Sequence, residues 1–209
     1  MDKYQETFNT WNTLAQCYQE MFMELDIYNA SYDLFCASIK RQNASILEIG
    51  CGPGNITKYL LDRHPTYRIT ATDVAENMIA LTKENNPSAT VQILDCRALD
   101  TLKDTYDGIM CGFTLPYLSD SDTAKFIQNS YALLRQDGIL YLSFVGGNYK
   151  DSGFITGSTG DRTYFYYHNI LDVKNMLTTQ GFQLIEHMEV PYKRSEKTSE
   201  MHTILLAQK

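Results

Sequence analysis

The chain has 209 residues, of which 44% are hydrophobic, and its formal net charge at neutral pH is −7. This length and apolar content suit one compact domain with a substantial core. The acidic balance argues against a nucleic-acid partner, which requires a clustered basic face. The five cysteines are scattered and form no C-x-x-C pair, which favours free thiols in a reducing compartment over a disulfide or zinc framework.

The amino terminus lacks the apolar stretch of a signal peptide, and no apolar run approaches the length of a bilayer span. We therefore expect a cytoplasmic protein without a membrane span, present as a monomer or a homodimer.

Two amphipathic helices are predicted at the start of the chain. Apolar residues recur at three- and four-residue steps over residues 11–25, and a second run covers residues 28–39. We expect a single domain over residues 1–209, in which a helical segment (1–42) precedes an α/β core (43–209).

A strand, a glycine-rich turn and a helix are predicted at residues 45–61, which read Ser-Ile-Leu-Glu-Ile-Gly-Cys-Gly-Pro-Gly-Asn-Ile-Thr-Lys-Tyr-Leu-Leu. The glycines let the backbone take positive φ and approach a ligand closely, and the helix offers free N–H groups to an anionic group. The dinucleotide fingerprint G-x-G-x-x-G fails, because an asparagine stands at its last position. The pattern present is Glu48-x-Gly50-x-Gly52-x-Gly54, with the carboxylate on the strand itself.

A second strand is predicted over residues 67–73, where apolar residues alternate with threonines and Asp73 ends the run. Asp73 follows Gly50 by 23 positions, close to the spacing of the acidic residue in βαβ nucleoside sites. Its two oxygens are suited to accept hydrogen bonds from both ribose hydroxyls. The alternative is a capping role for the helix that begins just beyond it.

Three more strands are predicted at residues 90–95, 106–113 and 139–145. Helical spacing lies between the last two, at residues 126–134, with N-cap candidates at 119–122. Alternating strands and helices are typical of a doubly wound α/β sheet, in which ligands bind beyond the carboxyl ends of the strands.

The last third of the chain begins with an irregular, aromatic segment at residues 146–168. A helix is predicted at 169–180, with Gly181 as its C-cap, followed by two closing strands at 182–190 and 202–207. The aromatic residues of the irregular segment could form the wall of a pocket or belong to the core.

The acidic-glycine motif resembles the first motif of the class I S-adenosylmethionine-dependent methyltransferases, and all its positions are matched. The resemblance covers almost the whole chain. It implies a Rossmann-like, doubly wound seven-stranded sheet with strand order 3-2-1-4-5-7-6 and the seventh strand antiparallel. It also implies that the N-terminal helices lie over the cofactor as a lid.

The resemblance implies S-adenosylmethionine as the cofactor and assigns roles at the strand ends. Asp73 would bind the ribose, and Asp95 with the backbone of Cys96 would bind the adenine, although Asp95 could instead pair with Arg97 at the surface. Tyr18 would reach the cofactor from the lid. The full predicted cofactor-binding set is Tyr18, Glu48, Gly50, Cys51, Gly52, Gly54, Asp73, Val74, Met78, Asp95, Cys96 and Phe113.

Methyl transfer from a sulfonium requires the protein mainly to align the reacting atoms, and it requires a general base only if the nucleophile keeps a proton. The segment from Phe113 to Tyr117 follows strand four, where the family places groups near the transferred methyl. It differs from the Asn/Asp-Pro-Pro-aromatic motif of methylases that act on adenine or glutamine amides. Tyr117 and His168 are the candidate catalytic residues, and His168 could equally cap the helix that follows it.

The sequence therefore predicts S-adenosylmethionine-dependent methyl transfer to a small-molecule acceptor. The histidines show no metal-ligand spacing, so no metal is expected. Two alternatives stay open: a module that binds the cofactor without turnover, and a methylase of a protein side chain.

Overall fold

The computed structural model describes residues 2–157, 160–194 and 198–209. Within these ranges the strands are β1 (Ser45–Ile49), β2 (Arg68–Asp73), β3 (Thr90–Ile93), β4 (Tyr106–Gly112), β5 (Leu134–Val145), β6 (Gly153–Thr156), β7 (Arg162–Phe165), β8 (Gln183–Lys193) and β9 (Ser199–Gln208). The α-helices are α1 (Lys3–Phe22), α2 (Asn29–Ser38), α3 (Asn55–Arg63), α4 (Glu76–Asn85), α5 (Asp120–Leu133) and α6 (Ile170–Gln180).

The main sheet has seven strands in the order β3-β2-β1-β4-β5-β9-β8. The first five strands run parallel, and β9 is antiparallel to both of its neighbours, β5 and β8. β8 and β9 are the sixth and seventh strands of the predicted sheet, because β6 and β7 pair only with each other. The predicted fold and strand order are confirmed.

The core lies on both faces of this sheet, so the central strands are almost entirely apolar. Successive residues of β1 point to opposite faces, and Ile46 and Leu47 are both fully buried. Ile46 belongs to a cluster that includes Phe35 of α2, whereas Leu47 belongs to a cluster that includes Phe126 of α5. Because helices cover both faces, the carboxyl ends of the parallel strands are the place left for a ligand.

Local signals set the ends of several helices. The Ser119 side chain accepts a hydrogen bond from the Asp122 N–H at the start of α5, and Gly181 ends α6 with a φ of 106°. Both capping predictions are confirmed. In the part of the chain that the structure describes, no helix combines the length and the apolar character needed to cross a membrane.

The aromatic segment at 146–168 is more regular than predicted, because it contains the hairpin of β6 and β7. Each of these strands has four residues, too few for an alternating pattern to stand out from the surrounding aromatic residues. The hairpin is packed against α1: the Thr7 Oγ1 atom accepts from the Tyr164 N–H at 2.9 Å, and the Thr10 hydroxyl donates to the Arg162 carbonyl at 2.8 Å.

Candidate functional site

The turn between β1 and α3 places backbone that carries no side chains, at Gly50 and Gly52, at the carboxyl end of the sheet. Gly50 and Gly52 have φ values of 65° and 56°. At Gly50, a Cβ would lie 2.1 Å from the Thr114 Oγ1 atom, so packing alone excludes a larger residue. At Gly52, the nearest atom to a Cβ would be Cε1 of Tyr18, at 3.6 Å. The backbone of Gly52 is therefore open on the side that faces α1.

The first cavity lies at the carboxyl ends of the first four strands and encloses about 810 Å³, including space open to solvent. Helix α1 forms much of one wall. The predicted residues that line this cavity are Tyr18, Gly50, Gly52, Asp73, Val74, Met78, Asp95, Cys96, Phe113 and Tyr117. The structure thus brings together most of a set that the sequence spreads over a hundred positions.

Asp73 connects the glycine turn to the start of α4. Its Oδ2 atom accepts from the Gly52 N–H at 3.0 Å, and its Oδ1 atom accepts from the Ala75 N–H at 2.9 Å. Ala75 is the N-cap residue of α4, and no side chain caps this helix, so Asp73 contacts the residue at the helix start without being its N-cap. Burial raises the pKa of the Asp73 carboxyl, and the backbone N–H groups oppose that shift. Each oxygen retains a lone pair that can accept from a ligand hydroxyl in the cavity.

The carboxylate of Asp95 accepts more hydrogen bonds than that of Asp73. Its oxygens accept from the Arg97 Nε atom at 3.0 Å, and Oδ1 also accepts from the Arg97 backbone N–H at 2.9 Å. The ion pair considered as an alternative is therefore present, although Asp95 and Cys96 both line the first cavity. The Arg97 guanidinium lies 4.0 Å from the centre of the Tyr4 ring, which links the end of β3 to α1.

Three residues of the predicted cofactor-binding set lie outside the first cavity. Cys51 lines a second cavity. Gly54 precedes α3, where a Cβ would lie 2.3 Å from the Asn86 Nδ2 atom. Glu48 is fully buried: Thr57 donates to its Oε2 atom, and its Oε1 atom has no partner in the described part of the chain. Burial raises the pKa of Glu48 to about 8.

The second cavity adjoins the first and encloses about 1410 Å³, again including space open to solvent. The β6–β7 hairpin and the last two strands of the sheet contribute to its wall. The residues that line both cavities are Trp11, Tyr18, Gly50, Gly52, Gly112, Phe113 and Tyr117. The boundary between the cavities is thus formed by the glycine turn, the end of β4 and α1.

Phe113 holds an unusual backbone conformation at this boundary. Its φ of 54° lies in the left-handed region, which is unfavourable for a bulky aromatic residue. Its N–H donates to the Ser143 Oγ atom at 3.0 Å. Its ring centre lies 5.2 Å from that of Tyr28 and 4.7 Å from that of His202. Strain of this kind persists where surrounding contacts determine the conformation, often at functional sites.

Tyr117, one of the two candidate catalytic residues, lies at the boundary of the cavities. Its ring meets the rings of Trp11 and Phe165 edge-on, at 5.7 and 6.1 Å. Burial raises the pKa of its phenol well above the usual range, so the hydroxyl is neutral at physiological pH. Tyr117 can position a ligand by ring contact and by one neutral hydroxyl.

His168, the other candidate, is not brought to the site. It is 1% exposed and lines neither cavity. Its Nδ1 atom lies 3.1 Å from Asp120 Oδ1, and its Nε2 atom lies 2.9 Å from the Leu115 carbonyl oxygen. The capping alternative is also not seen, because the Asn169 side chain accepts from the Leu171 N–H at the start of α6. Burial and these two contacts hold His168 away from both cavities.

Some residues of the aromatic segment line a cavity and others belong to the core, which are the two roles considered for it. Phe165 and Tyr167 line the second cavity. Tyr166, between them, is 2% exposed and packs against Tyr4 and Tyr164. Alternate residues of an extended segment face opposite sides, which explains the division.

Sequence reasoning missed the contribution of the C-terminal strands. The second cavity is also lined by Tyr28, Tyr192, Arg194, Glu200 and His202. Glu200 and His202 are two positions apart on β9, and residues at that spacing share a face of a strand. The spacing was visible in the sequence, but the cavity that these side chains face was not.

Comparisons with known proteins agree with this geometry. Residues 46–138 match the family model described as a methyltransferase domain. The malonyl-[acyl-carrier protein] O-methyltransferase of Bacillus anthracis is 39% identical over 103 residues, covering 48% of this chain and 37% of that protein. The trans-aconitate 2-methyltransferase of Variovorax paradoxus is 31% identical over 97 residues, covering 46% of this chain and 37% of that protein. The chain thus spans little more than a third of the length of these relatives.

Solved structures match over most of the chain at low identity. The 1,6-didemethyltoxoflavin-N1-methyltransferase of Burkholderia thailandensis has a TM-score of 0.73 and 17% identity, covering 98% of this chain and 88% of its own. The magnesium protoporphyrin IX methyltransferase of Synechocystis, with S-adenosylmethionine bound, has a TM-score of 0.72 and 15% identity, covering 100% and 98%. At such identities the likeness shows a shared fold.

Proposed function

Residues 46–138 match a methyltransferase-domain model, and we propose that the chain is a class I S-adenosylmethionine-dependent methyltransferase that transfers a methyl group from S-adenosylmethionine to a small molecule. The cofactor would bind in the first cavity and the acceptor in the second. The observation that carries this proposal is the shared boundary: the two cavities meet at the glycine turn and at Phe113, so groups bound on either side are in reach of each other.

The residues of the first cavity fit this cofactor. The open backbone at Gly52 permits the close approach that a Cβ would block. Asp73 has free lone pairs for the ribose hydroxyls, and the end of β3 presents Asp95 and the Cys96 backbone to the adenine. Met78 is 3% exposed and supplies an apolar, polarisable surface for a purine ring.

S-adenosylmethionine supplies an electrophilic methyl group on a positively charged sulfur. The chain itself must hold and orient the reacting groups and exclude water. Tyr18 and Phe113 line both cavities, and the electron-rich face of an aromatic ring is suited to a cationic sulfur. No strong acid is needed, since the leaving group departs as a neutral thioether.

Helix α1 closes the site and is held in place at several points. Near its start, the Tyr4 hydroxyl donates to Asp122 and accepts from the Ser119 N–H. Further along, the two threonine bonds to β7 described above fix the helix over the second cavity. This arrangement supports the lid role expected for the N-terminal helices, because α1 contributes side chains to both cavity walls.

The decisive experiment is incubation of the protein with S-adenosylmethionine labelled at the methyl group and a metabolite extract, followed by identification of the labelled product. We expect label in a low-molecular-weight compound. Calorimetry with S-adenosylhomocysteine, run in parallel, measures cofactor binding alone. Binding without any labelled product would favour a non-catalytic module, and label in protein would favour a protein methylase. Absence of binding would contradict the proposed function.

A further inference from the structure

We propose that Glu200, His202 and Tyr28 form a proton-accepting relay for the methyl acceptor, and that the acceptor is a flat, uncharged ring bearing a phenol-like hydroxyl. This inference rests on the proposed function, since it assigns the base and the acceptor class of the same site. It starts from a hydrogen-bonded chain of three side chains that all line the second cavity.

His202 lies in the middle of this chain. Its Nδ1 atom is 2.6 Å from the Tyr28 hydroxyl oxygen, and its Nε2 atom is 3.0 Å from the Glu200 Oε1 atom. A carboxylate only accepts, so the Nε2 atom carries the hydrogen and donates it to Glu200. The Nδ1 atom is then the lone-pair site, and it accepts the Tyr28 O–H. The tautomer is thus set so that the basic nitrogen faces the phenol.

The surroundings hold the imidazole in one orientation. The Tyr192 ring stacks on it at 4.8 Å with an interplanar angle of 15°, and the Phe113 ring meets it edge-on at 4.7 Å. The Arg194 Nη1 atom donates to the Glu200 Oε2 atom at 3.2 Å, so the carboxylate lies between a guanidinium and the imidazole. His202 is paired with Val145 of β5 and with Val190 of β8, and neither partner carries a charge.

The relay lies next to the boundary between the two cavities, where the methyl group would be transferred. Phe113 lines both cavities, and its ring touches both His202 and Tyr28. The relay therefore lies on the acceptor side of the boundary and directly beside it. The other histidine considered as a base, His168, lines neither cavity.

The walls of the second cavity indicate the acceptor class. Aromatic rings dominate them, among others those of Trp11, Tyr18, Tyr28, Phe113, Phe165 and Tyr192. Flat rings stack well on such walls. Among the described lining residues the one guanidinium is that of Arg194, and it is paired with Glu200. A carboxylate acceptor would find no unpaired cation there, whereas a neutral hydroxyl would find a base.

The proton step is as follows. The acceptor O–H bond breaks, and its proton passes to the Tyr28 oxygen while the Tyr28 proton passes to the His202 Nδ1 atom. The product of this transfer is an imidazolium whose Nε2–H is held by Glu200. The electron pair left on the acceptor oxygen forms the new bond to the methyl carbon, and the carbon–sulfur pair stays on sulfur. Burial raises the pKa of Tyr28 well above its usual range, so it acts as a neutral carrier.

The test uses 4-nitrophenol, whose phenol and phenolate forms absorb at different wavelengths, with S-adenosylhomocysteine present. The variants are His202→Gln and Glu200→Gln. The matched control is His187→Gln, because the His187 Nε2 atom lies 2.8 Å from Glu189 Oε1 on β8, in a similar pair that lines neither cavity. Melting temperatures and S-adenosylhomocysteine affinities are measured for every variant.

Below neutral pH, we expect the wild type and His187→Gln to hold the probe as phenolate. We expect His202→Gln to bind the probe as phenol, with unchanged affinity for S-adenosylhomocysteine, and Glu200→Gln to show a smaller phenolate fraction. With an identified hydroxyl acceptor, turnover by His202→Gln should fall by about 10²–10⁴-fold.

Two results would overturn the relay: a wild type that does not bind the probe, and a bound probe whose spectrum is the same in the wild type and in both relay variants. If His202→Gln does not fold, Glu200→Gln decides the question by the same spectrum. A wild type that fails to bind S-adenosylhomocysteine would overturn the proposed function, which is a separate outcome.

Discussion

At the scale of single residues, burial of Glu48 has a consequence for stability. The folded protein favours the protonated carboxyl, because burial raises its pKa from 4.5 to about 8. A raised pKa gives a contribution to stability that is complete below the unfolded pKa and is lost as pH rises through the folded pKa. Asp73, whose pKa burial also raises, acts in the same direction.

We therefore expect Glu48→Gln to flatten the pH dependence of the ligand-free protein. The wild type should lose on the order of a few kcal/mol of unfolding free energy through this group as pH rises from 4.5 to about 8, and the variant should not. Urea unfolding at a series of pH values measures this. Glu189→Gln, on the exposed β8, is the control. Parallel pH profiles for the wild type and Glu48→Gln would contradict the assignment.

Asp73 has a structural role in addition to the cofactor role that we propose for it, and two substitutions test both. Asp73→Asn keeps one acceptor oxygen and leaves one of the two backbone N–H groups without an acceptor, so it should weaken S-adenosylhomocysteine binding by about 1.5–3 kcal/mol and lower the unfolding free energy by about 1–3 kcal/mol. Asp73→Ala leaves the N–H groups of both Gly52 and Ala75 without their acceptor. It should therefore lower the unfolding free energy by about 1–3 kcal/mol more than Asp73→Asn does. Calorimetry and thermal unfolding give the two quantities. Normal binding by Asp73→Asn would refute the ribose role.

At the scale of elements, we expect the contact between α1 and β7 to hold α1 over the site. Thr10 is buried and its hydroxyl donates to the Arg162 carbonyl across the two elements. Thr13 is exposed, and its hydroxyl bonds only within α1, to the Asn9 carbonyl. The two threonines form a matched pair for asking whether the contact between elements holds the lid.

We expect Thr10→Val to loosen α1, because it removes a buried bond worth about 0.5–1.5 kcal/mol and leaves a carbonyl unpaired. Hydrogen exchange over α1 should quicken, and S-adenosylhomocysteine affinity should fall, whereas Thr13→Val should change neither. Equal exchange in the two variants would show that the lid is held by other contacts, such as those of Tyr4.

At the scale of the whole molecule, the cofactor that the protein binds should be recognisable from the increase in unfolding free energy that it causes. We expect S-adenosylmethionine and S-adenosylhomocysteine to bind only the folded chain, so each should raise the unfolding free energy by about 2.7 kcal/mol at a hundredfold excess over its Kd. NAD should have no effect, because the third glycine of the dinucleotide fingerprint is replaced by Asn55. Thermal unfolding with each ligand measures this. A shift with NAD alone would contradict the family assignment of the cofactor.

Much of the fold and of the first cavity could be predicted from the sequence, because the signals are local. The apolar runs, the glycine turn and the Ser119 cap are each determined by a few consecutive residues, and Asp73 and Asp95 lie directly at the ends of their predicted strands. The parallel order of the sheet then brings these ends together, since the carboxyl ends of parallel strands lie at one edge.

The walls of the second cavity come from residues far apart in the chain, so only the tertiary structure shows which side chains meet there. Tyr28 and His202 are 174 positions apart, and they meet only because β9 inserts between β5 and β8, antiparallel to both. The same packing carries His168 into the core, although its place after the fifth strand suggested a site. A side chain's neighbours along the chain determine the element it belongs to, but its chemistry depends on which distant groups fill the space around it, and packing of the whole chain determines those.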